Sequence, residues 1–170
     1  SKLASVTISE GATTIGESAF YGCNSLASLT IPNSVTSIGK AAFKDCSSLN
    51  QAVIPANVGN EAFSGCSKLA SVTISEGATT IGESAFYGCN SLASLTIPNS
   101  VTSIGKAAFK DCSSLNQAVI PANVGNEAFS GCSKLASVTI SEGATTIGES
   151  AFYGCNSLAS LTIPNSVTSI

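Results

Sequence analysis

Repetition limits what this chain can fold into more than any other feature. Residues 67 to 170 reproduce residues 1 to 104 without a change of letter, a period of 66. Each block divides into three related units, Ser1 to Cys23, Asn24 to Cys46 and Ser47 to Cys66, of 23, 23 and 20 residues. The stretch GESAFYGCNSL beginning at Gly16 has near copies in GKAAFKDCSSL from Gly39 and GNEAFSGCSKL from Gly59, and it returns unchanged at Gly82. Seven units are complete and an eighth stops at Ile170. A period in this range means that one supersecondary unit is stacked many times, because a single unit cannot bury its own apolar face.

Aligning the units shows which positions packing holds fixed. Leu3, Leu26 and Leu49 coincide, as do Val6, Leu29 and Ala52, and then Ile8, Ile31 and Ile54. The spacing L-x-x-[VLA]-x-I alternates apolar with polar at its end, as a short strand with one buried face requires. Pro32 and Pro55, at the place of Ser9, end the strand because proline has no N–H for a ladder. A second apolar group follows, Ala12 and Ile15 or Val35 and Ile38. Then Gly16 or Gly39 turns the chain with the positive φ that glycine tolerates, Ala-Phe dips into the core, and a cysteine closes the unit. The expected fold is a mainly β solenoid of about eight coils. Each coil supplies one strand to a continuous parallel sheet, and Leu, Ile, Phe and Cys stack on their own copies. The third unit is read as lacking the residues that correspond to Thr36, Ser37 and Ile38, so its arc is shorter and, with Ala52 in its strand, it is the weakest coil.

The string LASLTIPNSVTSIGKAAFKDC, Leu26 to Cys46, resembles the BspA-like, or Treponema-type, leucine-rich repeat, and the resemblance covers essentially the whole chain. It implies a right-handed leucine-rich coil whose main strands line a concave sheet, with short turns or single helical turns on the convex side. It also implies a secreted or cell-surface protein, of the kind found in bacteria and some parasitic protists, that adheres to an extracellular protein or glycan.

Composition removes other classes of function. Only 10% of residues are charged, the formal net charge is −3, and all seven basic residues are scattered lysines. That is no footprint for nucleic acid or anionic lipid. No apolar run approaches the length of a spanning helix, so membrane insertion is not expected. The chain contains no histidine, so it holds no Ser-His or Cys-His pair and no histidine base. There is no P-loop and no G-x-G-x-x-G, and acidic residues such as Glu10, Glu17 and Asp45 stand alone. No enzyme activity, cofactor or metal is expected. Seven cysteines, at 23, 46, 66, 89, 112, 132 and 155, fall one per unit. Their spacing does not suit a zinc centre; stacking would bring neighbouring Cα atoms within disulfide range, but parallel Cβ vectors rarely give the required dihedral, and the cysteines read as small buried hydrophobes.

What remains is surface. With Leu3, Val6 and Ile8 pointing inward, the other strand face carries Ser5, Thr7, Ser28, Thr30, Gln51, Ser71, Thr73, Ser94, Thr96, Gln117, Ser137, Thr139, Ser160 and Thr162, the candidate partner-binding residues. Gln51 and Val53 interrupt the hydroxyl rows in every third coil, against a regular array of the ice-binding kind. Tyr21, Tyr87 and Tyr153 mark a second candidate surface at the turn beside the cysteine. The chain reads as one solenoid over 1–170, with blocks 1–66 and 67–132 and an incomplete 133–170. It begins at full repeat quality and ends within a unit, as an excerpt of a longer uncapped array would, and exposed coil ends allow end-to-end self-association. Two functions stay open: a binding module with repeated sites, or a spacer or fibre, natural or engineered, whose copies only add length.

Overall fold

The computed structural model describes residues 2–170 and contains strands and turns but no helix among them. The first block holds β1 (Ser5–Thr7), β2 (Thr14–Ile15), β3 (Ser28–Thr30), β4 (Ser37–Ile38), β5 (Gln51–Ile54) and β6 (Asn57–Val58). The second repeats them as β7 (Ser71–Ile74), β8 (Thr80–Ile81), β9 (Ser94–Thr96), β10 (Ser103–Ile104), β11 (Gln117–Ile120) and β12 (Asn123–Val124), followed by β13 (Ser137–Ile140) and β14 (Ser160–Thr162). All pairings are parallel and in repeat register, with Ser5 beside Ser28, Gln51 beside Ser71 and Ser71 beside Ser94. The chain is therefore a parallel solenoid, as its periodicity required.

Two expectations about the sheet are corrected. The first six coils supply two strands each rather than one: the second apolar group forms a separate six-stranded ladder in the order β12-β10-β8-β6-β4-β2. The main sheet is also not continuous. It falls into β1-β3, β5-β7-β9 and β11-β13-β14, so that β3 is unpaired with β5 and β9 with β11. Both interruptions lie where a 23-residue coil is followed by a 20-residue one. There the methyl of Ala52 stands next in the row to the larger Leu29; a proline after the strand does not by itself break the sheet, since Pro32 follows β3, which pairs with β1. At the second interruption a groove of about 250 Å³ opens between Leu95, Thr96, Ile97 and Gln117, Ala118, Val119.

The register also relocates the missing residues. Asn57 pairs with Ser37 and Val58 with Ile38, so the short coil keeps the positions of Ser37 and Ile38. The three residues are lost between Pro55 and Asn57, where Ala56, 1% exposed, sits on the core. The arc is shorter, as expected, but the ladder of apolar side chains runs through it unbroken with Val58 in line.

The turn glycines correct a third expectation. Gly39, Gly59, Gly82, Gly105, Gly125 and Gly148 do not have positive φ; a Cβ on Gly82 would lie 2.6 Å from the Asn60 backbone nitrogen and 2.7 Å from the Gly59 carbonyl carbon. Glycine is required because the backbones of successive coils nearly touch. The left-handed residue comes two positions later, at Ser18, Ala41, Glu61, Ser84, Ala107, Glu127 and Ser150, with φ between 52° and 58°. That conformation aims its N–H at the next coil. Ser18 N–H donates to the Lys40 carbonyl at 2.9 Å, Phe20 N–H to Ala42 at 2.8 Å and Gly22 N–H to Lys44 at 2.8 Å, and later coils repeat the pattern. These turns form a third row of inter-coil bonds.

Inside the three rows lies a single core of stacked copies. Phe20, Phe43, Phe63, Phe86, Phe109, Phe129 and Phe152 form one column of near-parallel rings, with centroids 5.1 to 5.7 Å apart. Leu26, Leu49, Leu69, Leu92, Leu115 and Leu135 are fully buried beside them. Transfer of such side chains from water contributes roughly 1.5–3 kcal/mol each. The core is what joins the coils, since each coil's apolar face is covered by its neighbours.

Candidate functional site

The structure places the sequence-predicted residues on two separate surfaces. Along the main sheet, Ser5, Thr7, Ser28, Thr30, Gln51, Ser94, Thr96, Gln117, Ser137, Thr139, Ser160 and Thr162 are exposed, and Ser71 and Thr73 are half-buried. They share one face because alternate strand residues point the same way. Val53 and Val119 interrupt that face as exposed apolar side chains, 59% and 62% accessible. The two interruptions of the sheet cut the rows of hydroxyls into three sets, so the face is a segmented polar strip.

The tyrosines lie on the turn side, where the units place Tyr21, Lys44, Ser64, Tyr87, Lys110, Ser130 and Tyr153 in one row. Every third member is a serine followed by a glycine, and there the row dips into a notch. The first notch, of about 570 Å³, has Ser64 and Gly65 at its base, with Lys44, Asp45 and Glu61 on one wall and Glu83 and Tyr87 on the other. The same residues one period later, Lys110, Asp111, Glu127, Ser130 and Tyr153, enclose a second of about 350 Å³. Tyr87 is 42% and Tyr153 76% exposed, so each offers solvent a ring rather than a packed edge. The notch was not foreseen from the sequence. Its signal is the row itself, in which a missing side chain matters only once its neighbours on both sides are known.

Charges around the notch are largely paired. Lys44 Nζ donates to Glu61 Oε2 and Lys110 Nζ to Glu127 Oε2. The hydrogen bond to the lysine holds each glutamate below the usual carboxylate range, and the same bond raises the lysine. Because both partners are about one third exposed, these pairs set geometry more than stability. The Asp45 carboxylate is folded over Gly65 so closely that a Cβ there would meet its Oδ1 at 2.2 Å. Asp45 itself has φ 60°, a left-handed conformation that short polar side chains tolerate.

The cysteines form a column under these turns, and none is disulfide-bonded. Each buried thiol reaches back to the phenylalanine carbonyl of the preceding coil: Cys66 Sγ lies 3.2 Å from Phe43 O, Cys89 Sγ 3.3 Å from Phe63 O and Cys132 Sγ 3.2 Å from Phe109 O. Removal from water pushes the thiols up, Cys46 to about 11 and Cys89 and Cys132 to about 12. A thiol so poorly ionised is a structural donor rather than a nucleophile. Among the described residues no group of three or more His, Cys, Asp or Glu could hold a metal ion.

Stacked parallel coils with a repeated leucine column and a main sheet define a leucine-rich-repeat solenoid. The chain belongs to the BspA type leucine rich repeat family, whose model matches residues 1–116 and 56–170 in six copies. It is similar to the Treponema pallidum leucine rich repeat protein, with 30% identity and a TM-score of 0.84 over 93% of this chain and 79% of that one. A leucine-rich repeat protein from Bacteroides ovatus matches at 26% identity and a TM-score of 0.65, covering 99% of this chain and 57% of its own. A leucine rich cell surface protein from Faecalibacterium prausnitzii matches at 28% identity and a TM-score of 0.61, over 98% and 62%. No curated protein matches the chain.

Proposed function

We propose that the chain is a non-enzymatic binding module of a secreted or surface-displayed protein, which attaches to an extracellular protein or glycan through sites repeated along the solenoid. One observation carries this reading. The exposed side chains recur every 66 residues, because residues 67 to 170 copy residues 1 to 104, and stacking turns that identity into like sites at a constant spacing. A partner that is itself repetitive then gains avidity without new contacts. Description of the F. prausnitzii relative as a cell surface protein supports the location. Both the polar strip of the main sheet and the tyrosine side qualify as the surface used.

A spacer is the second reading, favoured by the copies themselves. Recent duplication leaves blocks identical, whereas selection for one specific epitope diversifies them. The two readings separate in a binding assay of chains with two, four and six blocks on immobilised extracellular-matrix proteins and polysaccharides. The module reading expects affinity to climb with block number. Lysine at Thr7, Thr30 and their copies abolishes binding where the main sheet is the surface. Absence of binding at every length leaves the spacer.

A further inference from the structure

Ser64 and Ser130 are the buried polar residues of the described chain, 6% and 5% exposed, and each lies at the base of one of the two notches. Neither hydroxyl has a hydrogen-bond partner among the described residues. No fully enclosed side-chain oxygen or nitrogen is left unsatisfied, so both hydroxyls open onto the notch above them. A serine held in the base of a cavity, with its hydroxyl free, is a prepared contact for a ligand.

The chemistry of the walls narrows what that ligand is. Apart from the tyrosine ring, the first notch has no apolar side chain larger than Ala107 on its lining, so a hydrophobic peptide anchor finds nothing to bury against. The backbone beneath is already committed, since Asp45 N–H donates to the Ser64 carbonyl and Gly65 N–H to the Tyr87 carbonyl, each at 2.8 Å. An extended peptide therefore has no free edge to pair with. Lys44 and Lys110 are held by Glu61 and Glu127, which leaves Lys106 against Asp45 and Glu83, no cluster for a phosphate or sulfate. What the notch does offer is one exposed aromatic face, two carboxylate acceptors and a hydroxyl. That set matches a ring with one C–H face and several O–H donors.

We propose that each notch binds one residue of an uncharged polysaccharide, its ring laid on Tyr87 or Tyr153 and its hydroxyls bonded by Ser64 with Asp45 and Glu83 in the first notch and by Ser130 with Asp111 in the second. This deepens the binding-module reading and rests on it. At roughly 4.8 Å per coil the notches stand about 14 Å apart, so a single polysaccharide chain running along the solenoid can enter both.

The test is affinity electrophoresis of the 170-residue chain in gels carrying soluble mannan, xyloglucan, mixed-linkage β-glucan or starch, with alginate and heparin as charged controls. Retardation is expected in at least one neutral gel and in neither charged one. Changing Tyr87 and Tyr153 to Ser, both exposed and free to change without disturbing the core, weakens it by about tenfold or more. Changing Ser64 and Ser130 to Tyr, the residue that Tyr87 already places at the same point of a neighbouring coil, fills the notches and abolishes it; unaltered thermal unfolding shows that the coil is intact. If these variants are retarded like the parent while Thr30→Lys with Thr96→Lys is not, the notch proposal is wrong and the module reading survives on the main sheet. If no neutral gel retards the chain, the saccharide proposal fails. If matrix proteins are then bound and the tyrosine variants lose them, the notch takes a peptide. If nothing binds at all, the module reading fails as well.

Discussion

The carboxamide oxygen of Asn57 accepts the backbone N–H of Thr79 at 2.7 Å, in the position where the Thr13 carbonyl accepts from Thr36 N–H at 2.9 Å. A side chain thus replaces a backbone carbonyl that the short coil has lost. The same oxygen also receives Thr80 N–H at 3.2 Å, and Asn123 repeats the arrangement with Thr145 and Thr146 at 2.7 and 3.2 Å. Asparagine is suited to the gap because its amide reproduces the acceptor that the three missing residues removed.

Asn57→Ala together with Asn123→Ala should therefore destabilise the chain by about 1 kcal/mol per site, the low end for an unmade bond since water reaches the freed N–H groups. Asn57→Asp, which keeps an acceptor oxygen, should cost less. Urea unfolding of the three proteins checks the order; equal midpoints for Ala and Asp would mean that the bond contributes nothing.

Gly16 and Gly82 open the same GESAF sequence, yet only at Gly82 would a Cβ meet the backbone of another coil. Gly82→Ala should cost about 1–3 kcal/mol through overpacking, whereas Gly16→Ala, with nothing within 4 Å of its Cβ, should be close to neutral. Thermal unfolding of the pair separates close approach from turn conformation, which is the same in both.

Alkaline pH should weaken the fold through the cysteine column. In the unfolded chain thiols ionise near their ordinary value of 9.0, while Cys46 keeps its proton to about 11 and Cys89 and Cys132 to about 12. Between those values the unfolded state binds fewer protons than the folded one, so stability falls as pH rises, by up to about 1.4 kcal/mol per pH unit for each buried thiol. Unfolding free energy should be level below about pH 8.5 and should drop from there to pH 12, less steeply in Cys89→Ala. An unchanged slope in that variant would remove the thiol from the explanation.

Labelling by a maleimide should follow burial along the same column. Cys23 is half-buried and should react first in the native chain, with Cys46, Cys66, Cys89, Cys112, Cys132 and Cys155 protected until the chain unfolds. Mass spectrometry of the modified peptides reads the order directly. Immediate labelling of Cys89 would contradict a closed core.

Hydrogen exchange should locate the interruption of the main sheet. Amides of Leu29 and Gln51, on strands that do not pair, should exchange faster than those of Gly39 and Gly59, which donate to Ile15 and Ile38 at 2.8 and 2.9 Å. Equal protection would mean that the two strands close up in solution.

Much of this was legible from letters alone, for reasons that differ by residue. The columns of Leu26, Ile31, Phe43 and Cys46 were readable because stacking carries a period directly into space. The two-residue strands, such as Thr14–Ile15, were not, since alternation needs more than one pair of residues to show. Gly39 was misread because positive φ and close backbone approach demand the same residue. Asn57 was hidden by an alignment of the short unit that only the pairing of Val58 with Ile38 resolves. The notch escaped because Ser64 is defined by what its neighbours have and it lacks.

Three rows of inter-coil bonds run along the solenoid, and one of them stops at each step into a short coil. A load drawn along the axis is shared by three rows at most steps but by two at these, so extension concentrates there and the rod flexes about the two rows that remain. The compliant step and the notch floor belong to the same 20-residue coil, whose Ser64 and Ser130 lie ten residues beyond the ends of β5 and β11. Tension on an array of such blocks would therefore act on every notch in the same phase, making the length of the rod and the shape of its notches one mechanical variable.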